Sequence, residues 1–172
     1  MFNLLLADNS AVEWLLRVDS KGQVNLTNLV LQGNSDGGGV YIDNTLATTP
    51  KPIVAKGLES NSIQGGDAFY LVSGGDVTVT NVKANGTADG TGLFISNLSS
   101  SNPLAKVTIN TSGTFTNQFN NNRDYGLYIE SVGNIAVSNS QAVSNNNQVG
   151  TTGIYLDNTF GAGSVSLVNV YF

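Results

Sequence analysis

The stretch Gly39-Val-Tyr-Ile-Asp-Asn-Thr45 returns as Gly153-Ile-Tyr-Leu-Asp-Asn-Thr159. Three variants lie between them: Ala68-Phe-Tyr-Leu-Val-Ser-Gly74, Gly92-Leu-Phe-Ile-Ser-Asn-Leu98 and Gly126-Leu-Tyr-Ile-Glu-Ser-Val132. Leu15-Leu-Arg-Val-Asp-Ser20 is a weaker copy. Inside each copy the residues alternate. Val40 and Ile42 share one parity, and Tyr41 and Asp43 share the other. A period of two marks a strand with one buried face, not a helix.

A second, β-branched element follows each copy: Val24-Asn-Leu-Thr-Asn28, Ile53-Val-Ala-Lys-Gly57, Val77-Thr-Val-Thr-Asn81, Val107-Thr-Ile-Asn-Thr111, Ile135-Ala-Val-Ser-Asn139 and Val165-Ser-Leu-Val-Asn169. Their starts lie 29, 24, 30, 28 and 30 residues apart, a period of roughly 28 that calls for stacked units. A third short element follows, as in Leu29-Val-Leu31 and Val82-Lys-Ala84, and then a Gly/Asn/Asp turn. Hairpins would not place identical motifs side by side. A chain that coils once per repeat does, stacking equivalent strands in parallel about 4.8 Å apart. The expectation is an all-β solenoid of about six coils forming a single domain over residues 1–172. Residues 1–14 form a preceding partial coil or cap, and residues 15–172 form the repeated coils. Both ends read as cut, which suggests a segment of a longer array. Ser10 to Leu16 is open to two readings: a short helix with Glu13 completing a capping box, or a strand of the first coil.

Parity predicts the core. One inward ladder is Leu16, Val40, Phe69, Leu93, Leu127 and Ile154. Its partner is Val18, Ile42, Leu71, Ile95, Ile129 and Leu156. The second element adds Val24, Ile53, Val77, Val107, Ile135 and Val165, with Leu26, Ala55, Val79, Ile109, Val137 and Leu167 behind them. Ala55 breaks the size pattern.

From about Leu15 to Phe172 the chain resembles the right-handed parallel β-helix family, the pectate-lyase-like superhelix. Asn28, Asn81, Asn139 and Asn169 close the second element, with Gly57 and Thr111 in the other two coils. Asn and Gly both tolerate the left-handed backbone of a tight corner. The resemblance implies that these asparagines form an inward structural ladder. It also implies that the first-strand sheet of such a fold often lines a polysaccharide groove.

The composition restricts function. Charged residues are 11% of the 172, and the net charge is -5 with seven Lys+Arg. With no basic cluster, nucleic acid and anionic membrane surfaces are poor partners. Cys and His are absent, which removes disulfides, thiolate metal sites and the commonest general base. No run reaches the ~20 apolar residues of a membrane span, and Met1 to Ala7 lacks the features of a signal peptide. A low-charge, acidic chain rich in Asn, Thr and Gly fits a bacterial cell-surface or secreted protein.

The outward face of the first strand stacks Arg17, Tyr41, Tyr70, Phe94, Tyr128 and Tyr155. Two residues on it carries Asp19, Asp43, Val72, Ser96, Glu130 and Asp157. Such a row can hold sugar rings, or it can stabilise rung-to-rung packing by itself. Arg17 is expected over Tyr41. The longest insert reads as Asn117-Gln-Phe-Asn-Asn-Asn-Arg-Asp-Tyr125, between the fourth and fifth coils; its Arg123 and Tyr125 can flank the row, or it is a longer turn anchored by Phe119. A glycosidase needs two carboxylates about 5–9.5 Å apart. Neighbouring rungs can supply these, but the paired-Asp, Gly-His-Gly and Arg-Ile-Lys motifs of polygalacturonase-like members are missing. Asp36, Asp67, Asp89 and Asp124 sit in turns and would suit calcium, although a turn Asp commonly bonds its own backbone. Thr78 and Thr80 are not repeated as a flat threonine array, which argues against ice binding. The expected role is non-catalytic structural display, with contact to a polysaccharide or surface protein. A carbohydrate-active enzyme is the alternative, and end-to-end self-association of open coil rims is a further expectation.

Overall fold

The computed structural model describes residues 4–9, 13–34, 36–145 and 152–172, and every regular element among them is a strand. One six-stranded parallel sheet stacks the first element of each coil: β2 (Trp14–Asp19), β4 (Gly38–Asp43), β6 (Phe69–Val72), β8 (Leu93–Ser96), β11 (Leu127–Glu130) and β13 (Ile154–Asp157). The second sheet holds β1 (Leu4–Asn9), β3 (Val24–Asn34), β5 (Ile53–Ile63), β7 (Val77–Asn85), β9 (Val107–Asn110), β10 (Asn117–Gln118), β12 (Ile135–Gln141) and β14 (Val165–Tyr171). The pairing register is that of the sequence repeat, with Val40 beside Phe69, Phe69 beside Leu93, and so on to Ile154. The result is a parallel β-solenoid of about six coils, each of about 28 residues. β1 pairs with the second half of β3, Leu4 beside Leu29, and so occupies the rung before it. Trp14 to Leu16 are strand, and Ser10 lies outside the described residues.

The aliphatic ladders fill the interior. Val40, Ile42, Phe69, Leu71, Val77, Val79, Leu93, Ile95, Leu127 and Ile129 are fully buried, as is Ala55. Each buried Val, Leu or Ile contributes roughly 1.5–3 kcal/mol of transfer free energy. The outermost rung is open, leaving the inward-parity residues Val165 43% and Leu167 47% exposed.

The second and third repeat elements are one bent strand, and the bend is the asparagine corner. Asn28, Asn81, Asn139 and Asn169 have φ of 55°, 58°, 47° and 53°, and Gly57 has 67°. The corner role of the asparagines therefore holds, but their inward direction does not. Asn28, Asn81 and Asn139 are half-buried and Asn169 is exposed. The left-handed residue shifts the alternation by one: Val77 and Val79 point in before Asn81, and Val82 and Ala84 after it. The corner side chain is left on the outer rim, where Asn169 Nδ2 donates to Asn139 Oδ1 at 3.0 Å. A second left-handed line, Gly33, Ser62, Gly86, Asn121 and Ser144, turns the next corner.

The inward polar ladder lies elsewhere, just after the first strand. Asn44, Ser73, Asn97 and Ser131 occupy successive rungs and are fully buried. Asn44 Oδ1 accepts from the Gly74 amide at 2.9 Å and Asn97 Oδ1 from the Val132 amide at 3.1 Å, each across one rung. These bonds satisfy turn amides that would otherwise be orphaned inside the protein.

The fourth coil departs from the pattern. Thr111 does not hold the left-handed corner, and Gly113 does, at φ 69°. The insert is therefore residues 111–116, not the stretch beginning at Asn117. Asn117 and Gln118 return to the sheet as β10. Asn117 is buried, and its Oδ1 accepts from the Val82 amide at 3.0 Å. Its amide reaches the carbonyls of Asn110 and Ser138 at 3.3 and 3.2 Å. The side chain thus replaces backbone bonds lost where the chain leaves the coil. Phe119 is fully buried on the ladder shared by Ser60, Ala84 and Ala142. One large ring fills the space that three small neighbours leave.

Two consequences follow for stability. Phe119→Ala should cost about 3–5 kcal/mol, read by urea denaturation. Asn28→Ala should cost about 1–2 kcal/mol, because Ala is disfavoured in the left-handed region that Asn visits more readily, whereas Asn28→Gly should be close to neutral. The same denaturation series separates the two substitutions.

Candidate functional site

The first-strand sheet places its outward residues in register, Arg17 beside Tyr41, then Tyr70, Phe94, Tyr128 and Tyr155. Because rungs stack in parallel, equal side chains lie over one another and the rings pile face to face. Centroids of successive rings are 5.4, 4.3, 5.2 and 4.7 Å apart, with interplanar angles of 10°, 9°, 20° and 23°. Arg17 Cζ lies 4.7 Å from the Tyr41 centroid, and its Nε pairs with Asp19 Oδ2 at 2.9 Å.

Two aromatic residues join the row from outside the repeat letters. Tyr125 meets Tyr128 edge-on at 4.9 Å and Tyr155 at 5.8 Å. Trp14 packs against Tyr41 and Tyr70 at 5.4 and 5.9 Å. Its indole covers Gly38, where an added Cβ would lie 2.2 Å from the ring. The sequence signal for Trp14 is Gly38 one rung on, whose missing side chain leaves room for a large ring. Arg123 forms an ion pair with Asp89 on the preceding rung.

The carboxylates beside the rings are engaged locally. Asp43 Oδ1 accepts from the Thr45 amide at 2.8 Å and the Thr45 hydroxyl at 2.7 Å. Asp157 and Thr159 repeat the same two bonds at 2.8 and 2.7 Å, and these hold the Asp157 carboxyl below its usual range. Glu130 Oε1 accepts from the Tyr128 hydroxyl at 3.0 Å. Burial, then that bond, pushes the Tyr128 phenol up. Ser96, expected on the outer row, is buried.

The turn aspartates serve different neighbours. Asp36 and Asp89 are exposed. Asp67 Oδ1 accepts from the Thr91 amide at 2.6 Å. Asp124 has one buried carboxylate oxygen without a hydrogen-bond partner. Among the described residues no three acidic side chains gather as a metal site would require. Burial, reinforced by Asp124, raises Asp67 to about 6.

Two clefts lie on the asparagine corner. Phe115, in the 111–116 insert, stands between a cleft of about 370 Å³ beside Asn139, Asn169 and Tyr171 and one of about 250 Å³ beside Asn28, Gly57 and Asn81. Lys83 Nζ lies 5.7 Å from the Phe115 centroid. The sequence reading overlooked this face, although a lone Phe among Ser, Gly and Thr marked it.

No family model, curated protein or solved structure shows a significant match to the chain. Among the described residues no helix is long and apolar enough to cross a membrane.

The Asp67 carboxyl makes a pH test. Its folded pKa lies above the unfolded value of 3.8, so its contribution is fully present below pH ~4 and is lost as pH rises through about 6. Asp67→Asn keeps an acceptor for Thr91 and should raise the melting temperature at pH 8 more than at pH 4. Thermal scans across that range check the sign.

Proposed function

We propose that the chain is a non-catalytic structural or display segment of an extracellular or cell-surface β-solenoid, right-handed and pectate-lyase-like in architecture. One observation carries the reading: the aromatic faces are spent on one another. A sugar stacks on an open ring face, and at centroid separations of 4.3 to 5.4 Å the inner rings offer only their edges. Each such pair is worth about 0.5–1.5 kcal/mol beyond its burial, so the row acts as a spine that stiffens the rod. Asp43 and Asp157 cap their own turns identically in two coils, and Asp19 and Glu130 bond side chains of the row itself. Repetition of that kind suits a scaffold. A glycoside hydrolase instead needs one carboxyl held protonated opposite another. A polysaccharide or surface protein remains the partner class for such a segment.

Tyr128→Ala removes an inner ring of the spine and its bond to Glu130. Unfolding free energy should fall by about 2–3 kcal/mol, with glycan-array binding unchanged from the parent protein. Loss of glycan binding at unchanged stability would reverse the assignment and make the row a sugar platform.

A further inference from the structure

The asparagine corner carries a feature that the scaffold role does not use. Four of its positions have a carboxamide on the outer rim, but in the second coil Gly57 takes that place. Gly57 lies between Asn28 and Asn81, with Lys56 beside Thr27 on one side and Thr80 on the other. A glycine there puts no side chain of its own on the rim, leaving a shallow notch. A Cβ on Gly57 would stand 2.7 Å from Asn28 Oδ1, so the Asn28 amide already leans into the gap.

The notch has walls of mixed chemistry. The Asn28 carboxamide is half-buried and makes no hydrogen bond among the described residues. Glu59 and Lys83, neighbours in adjacent strands, line the same cleft and supply an acceptor and donors of offsetting charge. Phe115 closes one side. Its loop is held in place by the ladder itself. Asn81 Nδ2 donates to Ser112 Oγ at 2.9 Å, and the Ser112 amide donates to Asn81 Oδ1 at 2.8 Å. Asn139 Nδ2 donates to Thr111 Oγ1 at 2.8 Å. Two rungs therefore clamp the base of the insert and leave Phe115 poised between the two clefts. The second cleft continues along the coil axis past Phe115 and carries only amides, hydroxyls, Gly113 and the phenol of Tyr171.

We propose that the Gly57 notch, the Phe115 ring and the cleft beyond it form a binding site for a neutral oligosaccharide lying along the coil axis. Amides and a carboxylate match sugar hydroxyls, which both donate and accept. An aromatic ring beside them suits the apolar face of a pyranose. The charges of Glu59 and Lys83 cancel, and the second cleft has none, so a net-charged ligand gains little. Each cleft lies near or below the roughly 300–1,000 Å³ of sites for drug-sized ligands, which fits one or two sugar units per side. The site is on a different sheet from the aromatic spine and does not depend on it.

The test titrates the full chain calorimetrically with neutral gluco-, xylo-, manno- and chito-oligosaccharides, and with glycine and glutamate as zwitterionic and charged controls. Two variants are run alongside. Phe115→Ala removes the stacking ring from a surface insert. Gly57→Asn fills the notch with a residue that the same corner already accommodates at φ near 55° in Asn28. At least one neutral oligosaccharide should bind, and each variant should weaken it by about tenfold or more with unchanged circular dichroism. Tyr128→Ala should leave this affinity intact. No binding of any neutral oligosaccharide up to about 10 mM, binding confined to the amino acids, or sugar binding indifferent to both variants would overturn the proposal.

Discussion

Everything in this molecule depends on parallel strands of successive coils hydrogen-bonding at a fixed register. Each backbone group in a rung is satisfied by the rungs on either side, so a residue that changes the path of one coil must be answered in the next. This constraint explains how a chain with only 11% charged residues builds a defined structure. Identity of position replaces ion pairing: Val on Ile on Val inside, Tyr on Tyr on Phe outside, and asparagine or glycine wherever the path bends.

The same constraint explains the irregular fourth coil. Six residues, 111–116, leave the stack, and the rungs around them would lose both bonds and volume. Asn117 supplies the bonds with its side chain, reaching the Val82 amide and two carbonyls. Phe119 supplies the volume beside Ser60, Ala84 and Ala142. A local insertion is thus compensated within the following three residues. That allows the insert to project as a clamped loop without loosening the coils above and below it.

The two faces differ in how far they follow the repeat. On the first-strand sheet, in-register stacking brings the aromatics so close that they pack on one another, and the carboxylates beside them hold turns or bond the row's own side chains. On the corner between the halves of the bent strand, a break in the repeat exposes polar groups and one ring. The regular face is the one to which we assign stiffness, and the irregular one is where we propose recognition. Repeated letters bind their neighbours, whereas a missing letter such as Gly57 leaves room for something else.

The repeat period, the alternation inside each copy and the β-branched second element were enough to determine a parallel solenoid and almost all of its core. These are properties of local spacing, and a period of two puts the same residues inside whatever the neighbours do. The aromatic row, its order and Arg17 over Tyr41 were legible for the same reason. The direction of the asparagine ladder was not. A left-handed residue shifts parity by one, so Asn28 and its equivalents face the rim, and the buried ladder is Asn44, Ser73, Asn97 and Ser131 instead. Nor did spacing reveal that Arg123 pairs with Asp89, that Trp14 covers Gly38, or that residues 111–116, not the stretch from Asn117, form the insert. Those outcomes depend on which side chains meet across rungs, and that is decided only when the coils are stacked.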